Sequence, residues 1–383
     1  MSLAPEFDVI VVGAGPAGGV AAHTLARAGC RVLLLEKEKL PRYKACGGAL
    51  VGRALAALPF PAEELGSILE RRVSRLHLTH NLAVPLTLEF PMPVLALAMR
   101  SLLDDALARR AVSAGAVLRD GVAAQAVLEG KDSVRCETTA GPSTARYLIG
   151  ADGATGVVST FIRPFETPRG GVALEAEAYL KQDSCLDDYA DRVEFDFNVL
   201  PQGYGWVFPK ADHLSVGVFT LRERLPHGKK LLDAYLERKG LAAKIAHLSV
   251  RGHFIPLGPR RGPLHSDRVL LAGDAAGLAD PLTGEGISYA LRSGRLAAES
   301  VLAALGSTGA SLNSYAKRLH AELLPDLRLA AFLAQPLYAA PSFFYGLLAR
   351  KPALADRLVD VFEGKLSYRD LLGKALRNPW KLF

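Results

Sequence analysis

Gly13, Gly15 and Gly18 stand at the spacing Gly-x-Gly-x-x-Gly, directly after an apolar run from Val9 to Val12 and before a helical pattern opened by Pro16 and Ala17. Backbone arranged in this way binds phosphate. Gly13 permits a tight turn, Gly15 lets the main chain approach a pyrophosphate, and Gly18 lets the helix pack close to the strand, while the unsatisfied amides at the helix start favour an anion. A second apolar run, Val32 to Leu35, ends in Glu36 and Lys37. An acid about 20 residues beyond the glycines accepts hydrogen bonds from ribose hydroxyls and opposes a 2′-phosphate, so the segment suits NAD or FAD better than NADP.

Other residues able to do chemistry lie further along. Pro41-Arg-Tyr-Lys-Ala-Cys-Gly-Gly48 brings Ala45, the Cys46 thiol, Gly47 and Gly48 into one loop after that acid. Gly203-Tyr-Gly-Trp-Val-Phe-Pro-Lys210 alternates Tyr204, Trp206 and Phe208 on one face of a strand, which suits either an apolar cavity wall or an ordinary core. Asp152 follows the short buried run Tyr147 to Gly150 and precedes Gly153, a pair that serves a turn as readily as a ligand. Gly273 and Asp274 end a buried run, Arg268 to Ala272, where α/β sheets hold ligands. Gly284, Gly286 and Ile287 begin a helix, and Arg100 lies on a second long helix, where it suits a phosphate or plain solvent.

Some chemistries drop out. His77 and His80 lie on an alternating stretch that splits them between faces, and Cys30, Cys46, Cys136 and Cys185 lack Cys-x-x-Cys spacing, so neither a metal site nor a disulfide framework is expected. With no Gly-x-Ser-x-Gly elbow and no Gly-x-x-x-x-Gly-Lys loop, hydrolase and kinase classes fall away.

To meet in space these residues need an α/β frame. The expected architecture is a discontinuous Rossmann-like nucleotide domain (residues 1–72, 96–165 and 265–308) interleaved with an antiparallel β-sheet substrate domain (73–95 and 166–264). Residues 309–383 read as a helical C-terminal region. Within the frame, an Ala/Leu-rich helix follows Gly48 and a second helix runs from about Ala96 to Ser113. Val122 to Val127 and Val134 to Thr138 form a hairpin around Gly130. Val193 to Val199, Tyr204 to Pro209 and Leu214 to Leu221 are strands of the second sheet, and a helix runs from Ile287 to about Leu305.

Half of the 383 residues are apolar, enough for one large core or two interwoven domains. The glycine turn comes so early that Met1 to Phe7 cannot hold a signal peptide, which points to the cytoplasm. The net charge of +7 suggests nucleic acid at first sight, but Lys365, Arg369, Lys374, Arg377 and Lys381 against Asp370 concentrate +4 in the last 19 residues. With Leu366, Leu371, Leu372, Leu376, Trp380 and Phe383 interspersed, that end suits either a peripheral membrane contact or a helix docked on the protein. Leu329 to Ala349 carries no charge, yet Gln335, Pro336, Pro341 and Gly346 make it a poor spanning helix. Core packing or the lining of an apolar tunnel remain for it.

Gly150-Ala-Asp-Gly153, Gly273-Asp274-Ala-Ala276 and Arg100, together with the N-terminal glycines, resemble the FAD-dependent hydroxylase superfamily, which implies FAD as the nucleotide. The loop Pro41 to Gly48, the strand Gly203 to Lys210 and Pro281-Leu-Thr-Gly-Glu-Gly-Ile287 narrow this to a resemblance to the geranylgeranyl reductase family, covering the chain to about residue 300. That family reduces isolated double bonds of polyprenyl chains in archaeal lipids, chlorophyll side chains or quinones. The resemblance implies Arg100 at the pyrophosphate or ribityl chain, Asp274 at the ribityl hydroxyls, and the Gly284 to Ile287 helix start at the flavin pyrimidine edge. It places Cys46, Gly47 and Gly48 beside the isoalloxazine, where Cys46 orients the flavin, gives a proton, or packs as a plain buried thiol, with Tyr204 and Trp206 walling the substrate.

The implied reaction passes hydride from reduced flavin to one carbon of a long-chain isoprenoid C=C while a proton reaches the other, with NADPH or a reduced ferredoxin as transient electron donor. The sequence departs from the family at Ala45, where proline is frequent, at Leu103, where phenylalanine is frequent, and at Gly156-Val-Val158, where an arginine-bearing continuation is common. The alternative is an FAD-dependent monooxygenase of the same superfamily acting on an aromatic or other apolar substrate. Flavin halogenases carry Trp-x-Trp-x-Ile-Pro, and Gly205-Trp-Val-Phe-Pro209 lacks the second tryptophan.

Overall fold

The computed structural model describes residues 5–166, 169–306, 311–351 and 353–377, apart from the side chains of Ala375 and Leu376. Runs of valine, isoleucine and leucine with no polar interruption demand cover on both faces, and Phe7–Val12 and Val32–Glu36 accordingly lie side by side and parallel, almost wholly buried. The sheet they begin runs Val117–Asp120, Val32–Glu36, Phe7–Val12, Ser143–Gly150, Val134–Thr138, Ala124–Glu129. Ser143–Gly150 forks this sheet: its first residues pair antiparallel with Val134–Thr138 and its last three pair parallel with Val269–Leu271. The fork brings the chain ends at Gly13, Ala151 and Gly273 to one edge.

Three helices, Pro16–Arg27, Arg100–Ser113 and Ile287–Gly306, pack on one another beside this sheet. Pro16–Arg27 and Ile287–Gly306 approach closely at Gly294, where a Cβ would sit 2.2 Å from the Ala17 carbonyl oxygen. The second sheet runs Ile245–Ile255, Gly171–Leu180, Leu214–Thr220, Gly203–Pro209, Arg192–Phe197, Arg75–His80, Ala83–Glu89. It is antiparallel except for one pairing, Arg192–Phe197 parallel to Arg75–His80. A third sheet joins Ala49–Val51 and Arg71–Val73 across a central Leu95–Leu97.

That small sheet corrects two expectations. The second long helix does not begin near Ala96, because Leu95–Leu97 is spent on backbone pairing on both sides, and the helix starts at Arg100. After Gly48 the Ala/Leu-rich stretch forms only a single turn, Gly52–Leu55, then the 3₁₀ segment Ala62–Ile68. Pro59 and Pro61 lack the amide protons that would extend it.

Beyond residue 310 the described chain is helical: Asn313–Glu322, Leu324–Ala339, Pro341–Arg350, Ala353–Phe362 and Tyr368–Arg377. The uncharged stretch is divided at Ala340, whose φ of −132° and ψ of 58° are not helical. No helix among the described residues is long and apolar enough to cross a membrane. The C-terminal helix docks on the protein, with Tyr368 buried and Arg369, Lys374 and Arg377 outward. Trp380, Lys381 and Phe383 lie outside the described residues.

Replacing Gly294 by alanine forces a Cβ into backbone and costs about 1–3 kcal/mol of stability in urea unfolding. Gly346→Ala, in the Pro341–Arg350 helix with open space around it, gains about 0.5–1 kcal/mol instead. Equal midpoints for Gly294→Ala and the parent would show that the two helices do not touch there.

Candidate active site

A turn that must reverse a strand directly into a helix leaves no volume for side chains. Gly13 has φ of +100°, and a Cβ at Gly18 would sit 1.8 Å from the Gly13 carbonyl oxygen. Gly15 differs: a Cβ there would meet only the guanidinium groups of Arg42 and Arg100, each at 3.9 Å. The helix N-terminus therefore faces two cations across an open space.

Those cations belong to a buried chain of alternating charge. Glu36 accepts from the Ala14 amide at 3.0 Å and pairs with Arg42 Nε at 3.1 Å. Arg42 Nη1 donates to Asp104 at 2.9 Å, and Arg100 donates to the same carboxylate through Nε and Nη2 at 2.8 and 2.7 Å. Burial opposes the Arg100 charge, but Asp104 overrides it and holds the guanidinium protonated above its ordinary range.

From the residue after Arg42 the loop crosses to the second sheet. The Tyr43 hydroxyl donates to the buried Glu175 carboxylate, whose titration burial pushes upward. Lys44 donates to the His253 ring, and burial pulls both groups down, Lys44 to about 8. Cys46 Sγ accepts from the Gly48 amide at 3.3 Å. Gly48 has φ of +67°, and a Cβ on Gly47 would touch the Phe208 ring at 2.9 Å and Trp206 Nε1 at 3.3 Å. Lys210, fully buried, donates to the Gly47 and Ala98 carbonyls at 2.8 and 3.0 Å, with its own proton affinity lowered by burial to about 8.

One cavity of about 1450 Å³ is lined by Glu36, Arg42, Tyr43, Lys44, Cys46, Gly47, Gly48, Arg100, Glu175 and His253, with Asp104 and Lys210 behind its wall. Every residue expected from the sequence to bind cofactor or act in catalysis lines it except Gly18, which is spent on the turn. Tyr204, Trp206 and Phe208 form one wall, edge and tilted ring contacts linking them to Phe195 and Phe219. The Tyr204 hydroxyl donates to the Thr283 carbonyl at 2.6 Å, joining that wall to the Gly284 to Ile287 segment. Asp152 accepts from the Val158 amide at 2.9 Å, capping the Val157–Ile162 helix, and burial raises it to about 6 while its Oδ1 has no partner among the described residues. Leu333, Leu337 and Phe343 of the uncharged stretch line the cavity, while Phe332 of the same stretch is exposed.

The near limb fits FAD. The space ahead of Gly15, bounded by two guanidiniums and a helix N-terminus, matches a pyrophosphate. Asp274 lines the cavity beside Gly286, and its carboxylate accepts no hydrogen bond from any described residue, which leaves it available for hydroxyls. At about 1450 Å³ the cavity also exceeds what one bound molecule ordinarily occupies, so a second has room.

Sequence reasoning missed Arg42, Asp104, Glu175, Lys210 and His253 as working residues. Asp104 was within reach, standing four residues after Arg100 on one helix face. Lys210 also left a trace, a lysine closing an otherwise apolar strand.

A family model described as an FAD binding domain matches residues 6–175. Digeranylgeranylglycerophospholipid reductase 1 of Methanopyrus kandleri is 31% identical over 358 residues, 87% of this chain and 91% of that one. The chloroplastic geranylgeranyl diphosphate reductase of Oryza sativa is 30% identical over 390 residues, 96% of this chain and 82% of that one. Among solved structures, a geranylgeranyl bacteriochlorophyll reductase-like protein from Thermoplasma acidophilum superposes with a TM-score of 0.76 at 22% identity, covering 98% of this chain and 99% of that one.

Lys210 generates a pH prediction. In the unfolded chain it holds its proton up to its ordinary 10.5, in the folded one only to about 8. Between those values the unfolded state binds more protons, so the burial penalty, fully present below pH 8, is relieved as pH rises. The stability of the parent relative to Lys210→Met climbs by roughly 3 kcal/mol across that window in denaturant titrations. Lys44 contributes the same slope to both proteins and cancels. A flat difference would mean that Lys210 is not a buried cation.

Proposed function

Because this chain belongs to the geranylgeranyl reductase family of FAD-dependent flavoproteins, we propose that it saturates C=C bonds of a polyprenyl chain held in the far limb of the cavity. The observation that carries this reading is the single cavity with charged groups at one end, aromatic and aliphatic walls at the other, and the Cys46-Gly-Gly48 loop pinned between them. When bound, FAD supplies the hydride.

Gly13 to Ala17, with Arg42 and Arg100, hold the pyrophosphate, and Glu36 with Lys37 borders the adenosine ribose. Asp274 would take ribityl hydroxyls, and the amides of Gly286 and Ile287 would favour the negative charge of the reduced ring. An isolated alkene develops no oxyanion for the protein to stabilise, so alignment, exclusion of water and a placed proton are what side chains contribute. Trp206 and Phe208 press on Gly47 and fix how close an alkene approaches the loop. Cys46 lines the cavity between the nucleotide residues and the Trp206 and Phe208 wall, as the thiol that gives a proton. Electrons come from a transient donor, NADPH or a reduced ferredoxin. A peripheral membrane contact of the basic Tyr368–Arg377 helix brings a water-insoluble chain within reach.

Purified protein, photoreduced without oxygen and mixed with a geranylgeranyl compound, regains its oxidised flavin spectrum while the product gains two hydrogens per bond. If the spectrum returns only when oxygen is admitted and an aromatic substrate is hydroxylated, the monooxygenase reading stands instead. Trp206→Ala retains bound flavin yet loses about 100-fold in turnover, since the double bond is no longer held against the loop. Unchanged turnover in that variant would remove Trp206 from substrate alignment.

A further inference from the structure

We propose that Glu175 is the positioning residue that holds the Trp206 indole and the Cys46 loop in register, gripping both through one carboxylate, so that the alkene is aligned only while this group is ionised. The inference rests on the reductase reading and concerns what keeps its substrate wall in place. Glu175 lines the cavity yet is only 3% exposed, and it is the one acid in a row of the second sheet that runs Arg251, Glu175, Gly217, Trp206, Phe195 across five strands. Gly217 is the gap in that row. A Cβ there would meet the indole at Cζ2 and Cη2, 2.2 and 2.4 Å away, so the ring lies across the glycine toward the strand that carries Glu175.

The hydrogen bonds around the ring all run one way. Trp206 Nε1 donates to Ser215 Oγ at 3.4 Å, Ser215 Oγ donates to Glu175 Oε1 at 3.1 Å, and the Tyr43 hydroxyl donates to Oε2 from the loop side. An indole N–H can only donate, which fixes the direction of the first bond and leaves the serine proton to pass onward. Glu175 must therefore accept twice. A carboxylate does so through both oxygens, whereas a protonated carboxyl or a glutamine carries a donor on one side. Tyr43 stands three residues before Cys46, and a Cβ on Gly47, just after it, would lie 3.3 Å from the same Nε1. Loop and wall thus meet twice, by contact at Gly47 and through the carboxylate behind the ring.

Among the described residues no cation is hydrogen-bonded to this carboxylate. Burial raises its titration most; the Tyr43 and Ser215 hydroxyls oppose that, Glu177 on the same strand adds to it, and Lys210 opposes it. Arg251 and His253 stand on the neighbouring edge strand and Lys44 on the loop, with their own bonds going to the Val250 carbonyl and to each other. The balance leaves Glu175 titrating above the ordinary 4.5, so acid puts a proton on it and breaks or reverses one of its two bonds.

The test follows indole and turnover together in FAD-loaded Trp380→Phe protein, where Trp206 is the one tryptophan left. On acidification the ultraviolet resonance Raman band that reports indole N–H hydrogen bonding shifts with a midpoint above 4.5, and reoxidation of the photoreduced flavin by a saturating geranylgeranyl compound slows with the same midpoint. Glu175→Gln shows the acid-form band throughout that range and turns over about ten-fold more slowly than the parent at neutral pH, without the acid limb and with flavin content unchanged. Ser215→Ala, which leaves Glu175 and the sheet backbone in place, abolishes the band's pH response and slows turnover in the same way. An indole band indifferent to both substitutions overturns the inference, as does an acid limb that persists in Glu175→Gln. If the parent band responds as stated but no geranylgeranyl compound reoxidises the flavin, the reductase reading fails while the hold of Glu175 on Trp206 stands.

Discussion

Asp104 is wholly buried, and its one carboxylate serves two guanidiniums. With Glu36 at the far end, the chain Glu36, Arg42, Asp104, Arg100 sums to zero charge, which is the condition for keeping four ions out of water. The four members come from three places: Glu36 from the end of the second strand, Arg42 from the loop after it, and Asp104 and Arg100 from the helix that packs on the first. Removing any one partner would leave an uncompensated buried charge, a loss of about 3–5 kcal/mol in comparable settings. Neutral as a whole, the chain still turns both of its guanidiniums toward Gly15, so an arriving pyrophosphate meets cations already held in place.

From Arg42 the consequences run along the loop. Its next two residues bond to the second sheet, Tyr43 through Glu175 and Lys44 through His253, and Gly47 is caught by Lys210 from beneath. Ala173 pairs with His253 and Glu175 with Arg251 across adjacent strands, so Tyr43 and Lys44 grip neighbouring positions of one sheet face. A loop fixed at four successive points has little freedom left. The glycines within it are then required by contact, since Phe208 and Ala98 occupy the space a Cβ would take at Gly47 and Gly48. The two sheets thereby meet at a thiol whose position neither sheet sets alone.

What could be read from the sequence was local. The glycine turn, the uninterrupted strands Val9 to Val12 and Val32 to Leu35, and the alternation of Tyr204, Trp206 and Phe208 are each decided by neighbours within a few residues, and each stands in the structure as expected. What could not be read was pairing across the chain. Leu95–Leu97 looks like the start of a helix until Ala49–Val51 and Arg71–Val73 are found on either side of it. The parallel joining of Arg192–Phe197 to Arg75–His80 and the grip of Lys210 on Gly47 depend on segments more than 100 residues apart. His253 is an ordinary histidine on an edge strand until Lys44 arrives beside it.

The uncharged stretch from Leu329 to Ala349 shows how composition alone misleads in both directions. About 20 apolar residues in one straight helix would match a bilayer. Here the chain bends at Ala340, and two shorter helices carry Leu333, Leu337, Tyr338 and Phe343 to the cavity. An interior proline, Pro336, is tolerated in the first of them, where the final turn is capped by the Ala340 amide bonding back to the Pro336 carbonyl. Part of the stretch is apolar because it lines the cavity, while Phe332 and Phe343 leave apolar rings exposed on its outer face. The ion chain at Asp104 and this wall are thus complementary solutions to one constraint: a hydride and a proton must reach an apolar double bond beside a charged nucleotide, and a single cavity serves both only if its charges are gathered at one end.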